Sequence, residues 1–149
     1  MKSLIVRLLT PDELPQFEAL VRLFEVVFEM ENFQIPPKDH LQQVLEKPGF
    51  FVMVAIQEGT VVGGLTAYTL DQYYSQKPLA YIYDLAVDTT LQRQGIGKQL
   101  IAAFHRHCQE RGYEEVFVQA DEVDDYALDF YRSTRPTEEE KVRHFYYSL

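Results

Sequence analysis

An apolar segment that runs into a glycine turn brings together two features capable of chemistry. Residues Ala80 to Val87 have the pattern of a strand, and one carboxylate, Asp84, interrupts it. A Gln-x-x-Gly-x-Gly turn, Gln92 to Gly97, follows and opens a helix. Glycines let a ligand approach the backbone closely, and the first N–H groups of a helix have no intrahelical partner at the positive end of its dipole. The pattern therefore predicts a phosphate-bearing ligand beside a carboxylate.

The turn differs from two common phosphate-binding motifs. A kinase-type P-loop needs Ser or Thr after Gly-Lys, but Gln99 follows Gly97-Lys98. A dinucleotide fingerprint needs a third small residue, and Leu100 occupies that position. Two interpretations stay open, a phosphate-binding turn of another type and an exposed turn that uses glycine only to begin a helix.

Asp84 is a candidate general base. Strand alternation predicts that it shares a face with Ala80, Ile82 and Ala86. Burial among such neighbours would raise the pKa of the carboxyl group toward the range in which it can take a proton from an amine. The alternative is a carboxylate that binds backbone groups at a β-bulge.

Length and composition predict one globular domain over residues 1–149, because a chain of 149 residues has no room for a second core. It has no apolar run long enough to span a bilayer and no signal peptide, so no membrane association is expected. The single cysteine, Cys108, fits a reducing compartment and a cytoplasmic location. The four histidines lack ligand spacing, so no metal is expected.

The charge distribution favours a cationic partner. A net charge of −9 argues against nucleic acid. Seven acids and no Lys or Arg lie between Gly112 and Tyr131. This density predicts attraction of a cationic small molecule, and a merely solvated face is the alternative. Besides Asp84, the candidate substrate-binding carboxylates are Asp121, Glu122, Asp124, Asp125 and, from a second acidic stretch, Glu29.

Periodicity and turn signals predict the order βααβββαβαβ, an α+β fold with a mixed, mostly antiparallel sheet flanked by helices. The predicted elements are a strand Leu4–Leu9, a helix that Thr10–Glu13 begins and that ends near Phe28, a short helix to about Glu46, hairpin strands Phe50–Glu58 and Val61–Leu70, a strand Ala80–Val87, a helix from the glycine turn to Gly112, a strand Val116–Ala120, a helix Asp125–Ser133 and a strand Val142–Tyr147.

Two motifs carry a resemblance to the GNAT superfamily of N-acetyltransferases. Gln92–Lys98 resembles its acyl-CoA pyrophosphate loop, and Asp124–Tyr131 resembles its Asn-x-x-Ala-x-x-Phe-Tyr helix with Asp in place of Asn. The element order is similar too, and the resemblance covers roughly Gly49 to Tyr147. It implies a GNAT acyl-CoA N-acyltransferase fold.

Within that superfamily the chain is most similar to aminoglycoside 3-N-acetyltransferases of the gentamicin/fortimicin type. The shared strings are Val-Val-Gly-x-Leu-x-Ala-Tyr from Val61, Ile-Tyr-Asp-Leu-Ala-Val from Ile82, and Val-Gln-Ala-Asp from Val118, with Asp124-Asp125 after it. One departure is the absence of glycine between Tyr131 and Pro136, which places a loop where the superfamily begins its last hairpin.

The resemblance implies acetyl-CoA as cosubstrate and a set of roles. Asp84 would be the general base, and Tyr131 would protonate the departing thiolate, with an aromatic core position as the alternative for Tyr131. Backbone groups would hold the pantetheine arm and the diphosphate; the residues implied are Leu85, Ala86, Val87, Gln92, Arg93, Gln94, Gly95, Ile96, Gly97 and Lys98.

The implied reaction is N-acetylation of an aminoglycoside at its 3-amino group by direct attack, which would give antibiotic resistance. The carboxylates named above would surround this cationic substrate. A homodimer is also implied. The alternatives are the same chemistry on a protein or polyamine amine, and a non-catalytic acyl-CoA-binding module.

Overall fold

A computed structural model describes residues 2–149 and contains a five-stranded sheet and four α-helices. The elements are β1 (Leu4–Leu8), α1 (Leu14–Val27), α2 (Lys38–Leu45), β2 (Phe50–Gln57), β3 (Thr60–Leu70), β4 (Leu79–Val87), a 3-10 turn (Thr89–Leu91), α3 (Ile96–Glu110), β5 (Glu115–Val118) and α4 (Asp125–Ser133). The chain forms two compact units, Met1–Gln119 and Ala120–Leu149. The first holds the sheet and α1 to α3, and the second holds α4 and the C-terminal residues. The expected single domain stays a prediction.

The sheet has the strand order β1-β2-β3-β4-β5. The first four strands are antiparallel, and β5 runs parallel to β4. The predicted fold class, α+β with a mixed and mostly antiparallel sheet, is confirmed. Within residues 2–149, no helix has the length and apolar character needed to cross a membrane.

Two neighbouring glycines of β3 show how helices cover both faces of the sheet. A Cβ on Gly64 would lie 2.6 Å from a methyl group of Leu20 in α1, whereas one on Gly63 would lie 3.5 Å from Ile96 in α3. Because successive strand residues point to opposite faces, α1 and α3 pack on opposite sides. The core follows the predicted helical stripes, with Leu20 and Phe104 fully buried.

The hairpin that joins β2 and β3 forms where the sequence predicts it. Gln57 pairs with Thr60, and the two turn residues both have positive φ, 50° at Glu58 and 77° at Gly59. Two positive φ angles define a type I′ turn, whose twist matches that of the strands.

Helix α1 begins three residues later than predicted, at Leu14 rather than at Pro11, directly after the expected cap Thr10. The carboxylate of Glu13 accepts hydrogen bonds from the Arg7 guanidinium (2.8 Å) and from the Thr10 N–H (2.9 Å). These bonds lower the pKa of Glu13 to about 2 and hold residues 10–13 in a turn that precedes the helix. The predicted start was wrong because a helix beginning at Pro11 would need an N–H donor at position 15, and Pro15 has none.

The predicted last strand, Val142–Tyr147, is also wrong. Residues 136–149 have no regular structure, and within residues 2–149 they take no part in backbone–backbone hydrogen bonds. Their aromatic side chains are exposed, Phe145 by 76% and Tyr147 by 87%. A strand forms only when a neighbour accepts its backbone groups, and the segment has no such neighbour within the described chain. Strand β5 also ends early, at Val118 rather than Ala120.

Candidate functional site

Asp84 lies at a β-bulge. Asp84 pairs with Thr66 of β3 and Ile82 pairs with Ala67, so Tyr83 is the extra residue of β4. Because Thr66 and Ala67 point to opposite faces, Asp84 lies on the face opposite Ile82. The prediction that Asp84 shares a face with Ala80 and Ile82 was therefore wrong, because the bulge shifts the alternation by one residue.

The bulge turns Asp84 toward the face that α1 covers, where it remains half-buried. Its cross-strand neighbour, Thr66, is 7% exposed, and Ala86 along the same face is 3% exposed. Burial raises the pKa of Asp84 above its ordinary value. Within residues 2–149, the carboxylate forms no hydrogen bond or ion pair, so the bulge does not use it as a backbone acceptor. Asp84 is thus a carboxylate with raised proton affinity and open lone pairs.

Three tyrosines that the sequence analysis did not single out, Tyr68, Tyr81 and Tyr83, form a cluster near Asp84. The ring of Tyr83 packs edge-on against Tyr68 at 5.7 Å and Tyr81 at 5.9 Å between centroids. Burial, with smaller contributions from the nearby Tyr83 and Asp84 charges, raises the pKa of Tyr68 and Tyr81. Tyr81 donates its hydroxyl hydrogen to the Gln119 side chain at 3.1 Å. The Tyr-Ile-Tyr alternation at residues 81–83 could have indicated this cluster. No sequence pattern, however, indicates the bulge that brings the rings together.

The N-terminus of α3 has the geometry of an anion site. Gly95 is its N-cap, with φ of 83° and no side chain to cap the helix. The first intrahelical bond runs from the Gln99 N–H to the Gly95 carbonyl at 3.0 Å. The N–H groups of residues 96–98 therefore have no acceptor inside the helix. A Cβ on Gly95 would meet nothing within 4 Å, so the space beside this backbone is open.

The glycine turn is tied directly to the end of β4. The Gln92 side chain donates to the Val87 carbonyl at 3.1 Å. Arg93 in this turn has φ of 65°, a left-handed conformation that few non-glycine residues adopt. Arg93, Gln94 and Lys98 are exposed, whereas Ile96 and Gly97 are buried. Two cationic side chains therefore lie in or next to the turn that contains Gly95.

One edge of β4 is open beyond the bulge. β4 pairs with β5 only from Leu79 to Ile82, although β4 continues to Val87. The stretch that contains Leu85, Ala86 and Val87 therefore has no β5 partner within residues 2–149. An extended ligand could pair with these backbone groups as an added strand.

A cleft of about 510 Å³ borders the N-terminus of α3, and of the predicted site residues only Gln94 and Ile96 line it. Lys2 and Gln99 supply further polar groups there. Since Asp84 is not among its lining residues, we place the candidate reaction site at the bulge and not in this cleft.

The unit Ala120–Leu149 brings four predicted substrate carboxylates together, all of them exposed: Asp121, Glu122, Asp124 and Asp125. Two have structural partners, since Asp124 caps α4 by accepting the Ala127 N–H at 3.0 Å and Glu122 lies 3.7 Å from the Lys141 ammonium. This N-cap role explains why an aspartate occupies position 124.

The remaining predicted residues are Tyr131 and Glu29. Tyr131 is half-buried in α4, with its ring 5.0 Å from that of Phe130. Glu29 is exposed just beyond the end of α1, with φ of 51°, and forms no ion pair within residues 2–149. Their roles stay predictions.

Comparison with known families supplies the decisive observation, since residues 16–134 match the Acetyltransferase (GNAT) family. The chain belongs to this family. Its GNAT fold is thereby confirmed, and the open helix N-terminus at Gly95 lies within the matched region.

Solved structures of similar proteins extend the finding. One of them is meta-AAC0020, an aminoglycoside acetyltransferase from an uncultured soil metagenomic sample, solved in complex with trehalose. It is 64% identical to this GNAT chain, with a TM-score of 0.97, and the match covers 98% of this chain and 96% of the other. The same protein has been solved in complex with sisomicin. A second soil aminoglycoside acetyltransferase, HMB0005, is 34% identical, with a TM-score of 0.90 and 99% coverage of both chains.

Among curated proteins, human N-acetyltransferase 8 is 28% identical to the GNAT chain over 95 residues. The match covers 64% of this chain and 42% of the human protein.

Proposed function

We propose that this chain transfers an acetyl group from acetyl-CoA to an amine of an aminoglycoside, with the 3-amino group as the target. The observation that carries acetyl transfer is the placement of Asp84, a half-buried carboxylate with a raised pKa on the strand whose end is bonded to the glycine turn. The acceptor class rests on the 64% identity to an aminoglycoside acetyltransferase that has been solved with sisomicin.

The residues present fit the cosubstrate. A diphosphate needs several N–H donors and a backbone that it can approach, and α3 offers both at Gly95. The exposed Arg93 and Lys98 would add positive charge. The open edge of β4 at Leu85 to Val87 would pair with the amide groups of the pantetheine arm. When bound, acetyl-CoA supplies an activated acetyl thioester.

The role of Asp84 follows from the charge of the acceptor. Most alkyl amines are protonated at pH 7 and cannot attack a carbonyl, so a base must remove one proton. Asp84 accepts that proton on a carboxylate oxygen that no group within residues 2–149 occupies, and burial favours the protonated product. Tyr131 would return a proton to the departing thiolate.

The tyrosines around Asp84 suit a cationic sugar. The exposed faces of Tyr68 and Tyr83 can stack on an apolar ring surface and attract an ammonium group. The carboxylates at 121, 122, 124 and 125, together with Glu29, would raise the local concentration of a polycation, in line with the net charge of −9.

Acetylation would remove a positive charge from the drug and weaken its binding to ribosomal RNA, which would give resistance. One assay distinguishes this proposal from the alternatives. These are acetylation of a polyamine or a protein amine, and a non-catalytic acyl-CoA-binding role. Thiol release is measured with gentamicin, sisomicin, spermidine and a peptide amine, and NMR of the product identifies the acetylated nitrogen. Cys108 does not interfere, because it is buried and its pKa is raised to about 11.

The test of the mechanism is Asp84→Asn, with Asp12→Asn as the matched control because Asp12 is exposed in the turn before α1. General-base catalysis contributes roughly 10²- to 10⁴-fold, so we expect kcat to fall by that factor in Asp84→Asn alone, with acetyl-CoA affinity retained. The rate of the wild type should decline as pH falls through the raised pKa of Asp84, and this limb should vanish in the variant.

The outcomes separate the components of the proposal. Unchanged turnover in Asp84→Asn removes Asp84 as the base but leaves the acceptor assignment intact. Acetyl-CoA binding without turnover of any amine favours the binding module. Acetylation at another nitrogen corrects only the 3-amino assignment.

A further inference from the structure

Aromatic rings form a row across the sheet beside Asp84. Tyr68 of β3 lies directly opposite Tyr81 of β4. Tyr81 in turn stacks on Phe117 of β5, with 4.8 Å between the ring centroids and 8° between the ring planes. Tyr83 joins the row through its edge-on contacts with Tyr68 and Tyr81. We call these four residues, Tyr68, Tyr81, Tyr83 and Phe117, the ring platform.

The ring platform lies on the same face of the sheet as the Asp84 carboxylate. Tyr68 and Thr66 are two residues apart in β3 and therefore share a face, and Thr66 is the strand partner of Asp84. The ring of Tyr83 reaches this face as well, because it packs against both Tyr68 and Tyr81. The bulge therefore brings two consecutive residues, an aromatic ring and a carboxylate, to one side of β4.

Tyr83 is the ring of the platform that a ligand can reach most fully. It is 58% exposed, compared with 41% for Tyr68, and the other two rings are only partly exposed. Phe117 covers one face of Tyr81, and Tyr68 packs against Phe50 at 5.1 Å between centroids. Tyr83 therefore provides the most open aromatic surface next to the carboxylate.

A saturated ring suits this surface when its substituents are equatorial. Such a ring presents a flat face of axial C–H groups, which can lie on an aromatic side chain. Its equatorial amines then point sideways along the sheet, where both the aromatic ring and the Asp84 carboxylate attract an ammonium group. An amine on a flexible methylene arm gains less, because stacking of the ring leaves the arm free to rotate.

We propose that Tyr83 is a specificity-determining residue, which stacks on a saturated ring of the acceptor and so selects amines attached directly to that ring over amines on a methylene arm. Tyr83 and Asp84 are consecutive in β4, so a ring that stacks on Tyr83 holds its own amine beside the base. The inference rests on the proposed acetyl transfer to an aminoglycoside and defines which class of its amines reacts. That class is broader than the 3-amino group and includes every ring-attached nitrogen.

The first test measures binding and does not depend on turnover. Sisomicin, and spermidine as a polyamine without a ring, are titrated calorimetrically into the complex of the chain with CoA. Tyr83→Leu removes the aromatic face but keeps an apolar side chain, so we expect the Kd of sisomicin to rise about 10-fold and the Kd of spermidine to stay the same. Tyr83→Phe, which restores the ring, should recover most of the sisomicin affinity.

The matched control is Tyr74→Leu, because Tyr74 is an exposed tyrosine outside the ring platform whose ring contacts that of Tyr73. This variant should bind both amines as the wild type does. Circular dichroism and the Tm of Tyr83→Leu check that the fold is retained. Three results overturn the proposal: a wild type that does not bind sisomicin, a Tyr83→Leu variant that binds it as tightly as the wild type, or an equal loss of affinity for both amines.

The second test identifies the nitrogen that is acetylated. Sisomicin carries ring-attached amines and one amine on a methylene arm, and NMR of the product distinguishes them. We expect the wild type to acetylate a ring-attached nitrogen and Tyr83→Leu to give a larger share of the arm product. Acetylation of the arm nitrogen by the wild type, or an unchanged product ratio in Tyr83→Leu, overturns the inference but leaves acetyl transfer intact. Failure of the proposed function gives a different result, namely sisomicin binding that depends on Tyr83 without any acetylated product.

Discussion

The substitution Gly95→Ala tests whether the α3 N-terminus binds the diphosphate, and the chain offers a matched control at the other end of the helix. Gly95 has φ of 83° and Gly112 has φ of 77°, and a Cβ at either position would meet nothing within 4 Å. Both substitutions therefore introduce the same backbone strain, because each places an alanine in a left-handed conformation without a steric clash.

The expected magnitudes follow from this geometry. A left-handed conformation costs a non-glycine residue about 1–2 kcal/mol, so each variant should lose that much stability, or about 2–8 °C in Tm for a chain of this size. In Gly95→Ala the strain can be relieved only by rotating the peptide that begins α3. That rotation removes a hydrogen bond to a charged ligand, about 1.5–3 kcal/mol, which weakens binding roughly 10- to 150-fold.

The assay is isothermal titration with CoA, paired with thermal unfolding of each variant. Gly112→Ala should show the same loss of Tm but an unchanged Kd. S-acetylpantetheine, which lacks the diphosphate, should be used equally well by both variants and the wild type.

Equal CoA affinity in the two variants would refute the assignment of the diphosphate to this helix end. Equal loss of affinity for S-acetylpantetheine would show that the effect of Gly95→Ala is general distortion and not loss of phosphate contacts.

Two further predictions concern stability. Gly64→Ala should destabilise the chain by about 1–3 kcal/mol in chemical denaturation, because a Cβ there would lie 2.6 Å from Leu20 and 2.8 Å from the Met53 carbonyl; a change below 0.5 kcal/mol would contradict this packing. The folded-state pKa of Glu13 is lowered to about 2, chiefly by the hydrogen bond from Arg7. The ionised carboxylate therefore adds its full contribution to the free energy of unfolding above about pH 4.5, and this contribution disappears as pH falls toward 2. Glu13→Gln should therefore lower Tm at pH 7 but not near pH 2, and a Tm difference independent of pH would exclude this ion pair as its source.

Much of the fold was predictable because the sequence patterns that indicate it involve residues close together along the chain. The buried stripe of α3, from Ile96 to Cys108, follows from 3.6-residue periodicity. The Glu58-Gly59 hairpin and the Gly95 turn follow from the conformational freedom of glycine and its neighbours. The upward direction of the Asp84 pKa was also predicted correctly, although Asp84 does not share a face with Ala80 and Ile82, two of the three neighbours on which that prediction rested.

The errors arose where contacts between distant residues prevail over local patterns. The pairing of β3 with β4 makes Tyr83 a bulge and places Asp84 on the opposite face from the predicted one. No neighbour within the described chain receives Val142–Tyr147, so its strand pattern remains unrealised. In both cases the sequence pattern is genuine, but its outcome depends on groups that are far apart along the chain.

The sequence by itself determined which residues have the chemical capacity for a site: a carboxylate in an apolar strand and a helix that opens on glycine. Only the tertiary structure decided which way that carboxylate points, since the pairing of β3 with β4 makes Tyr83 a bulge and turns Asp84 to the face of Thr66. The physical reason is that the type and order of side chains set local conformational preference, whereas strand register is a property of two strands packed together, and a shift of one residue exchanges the two faces of a sheet.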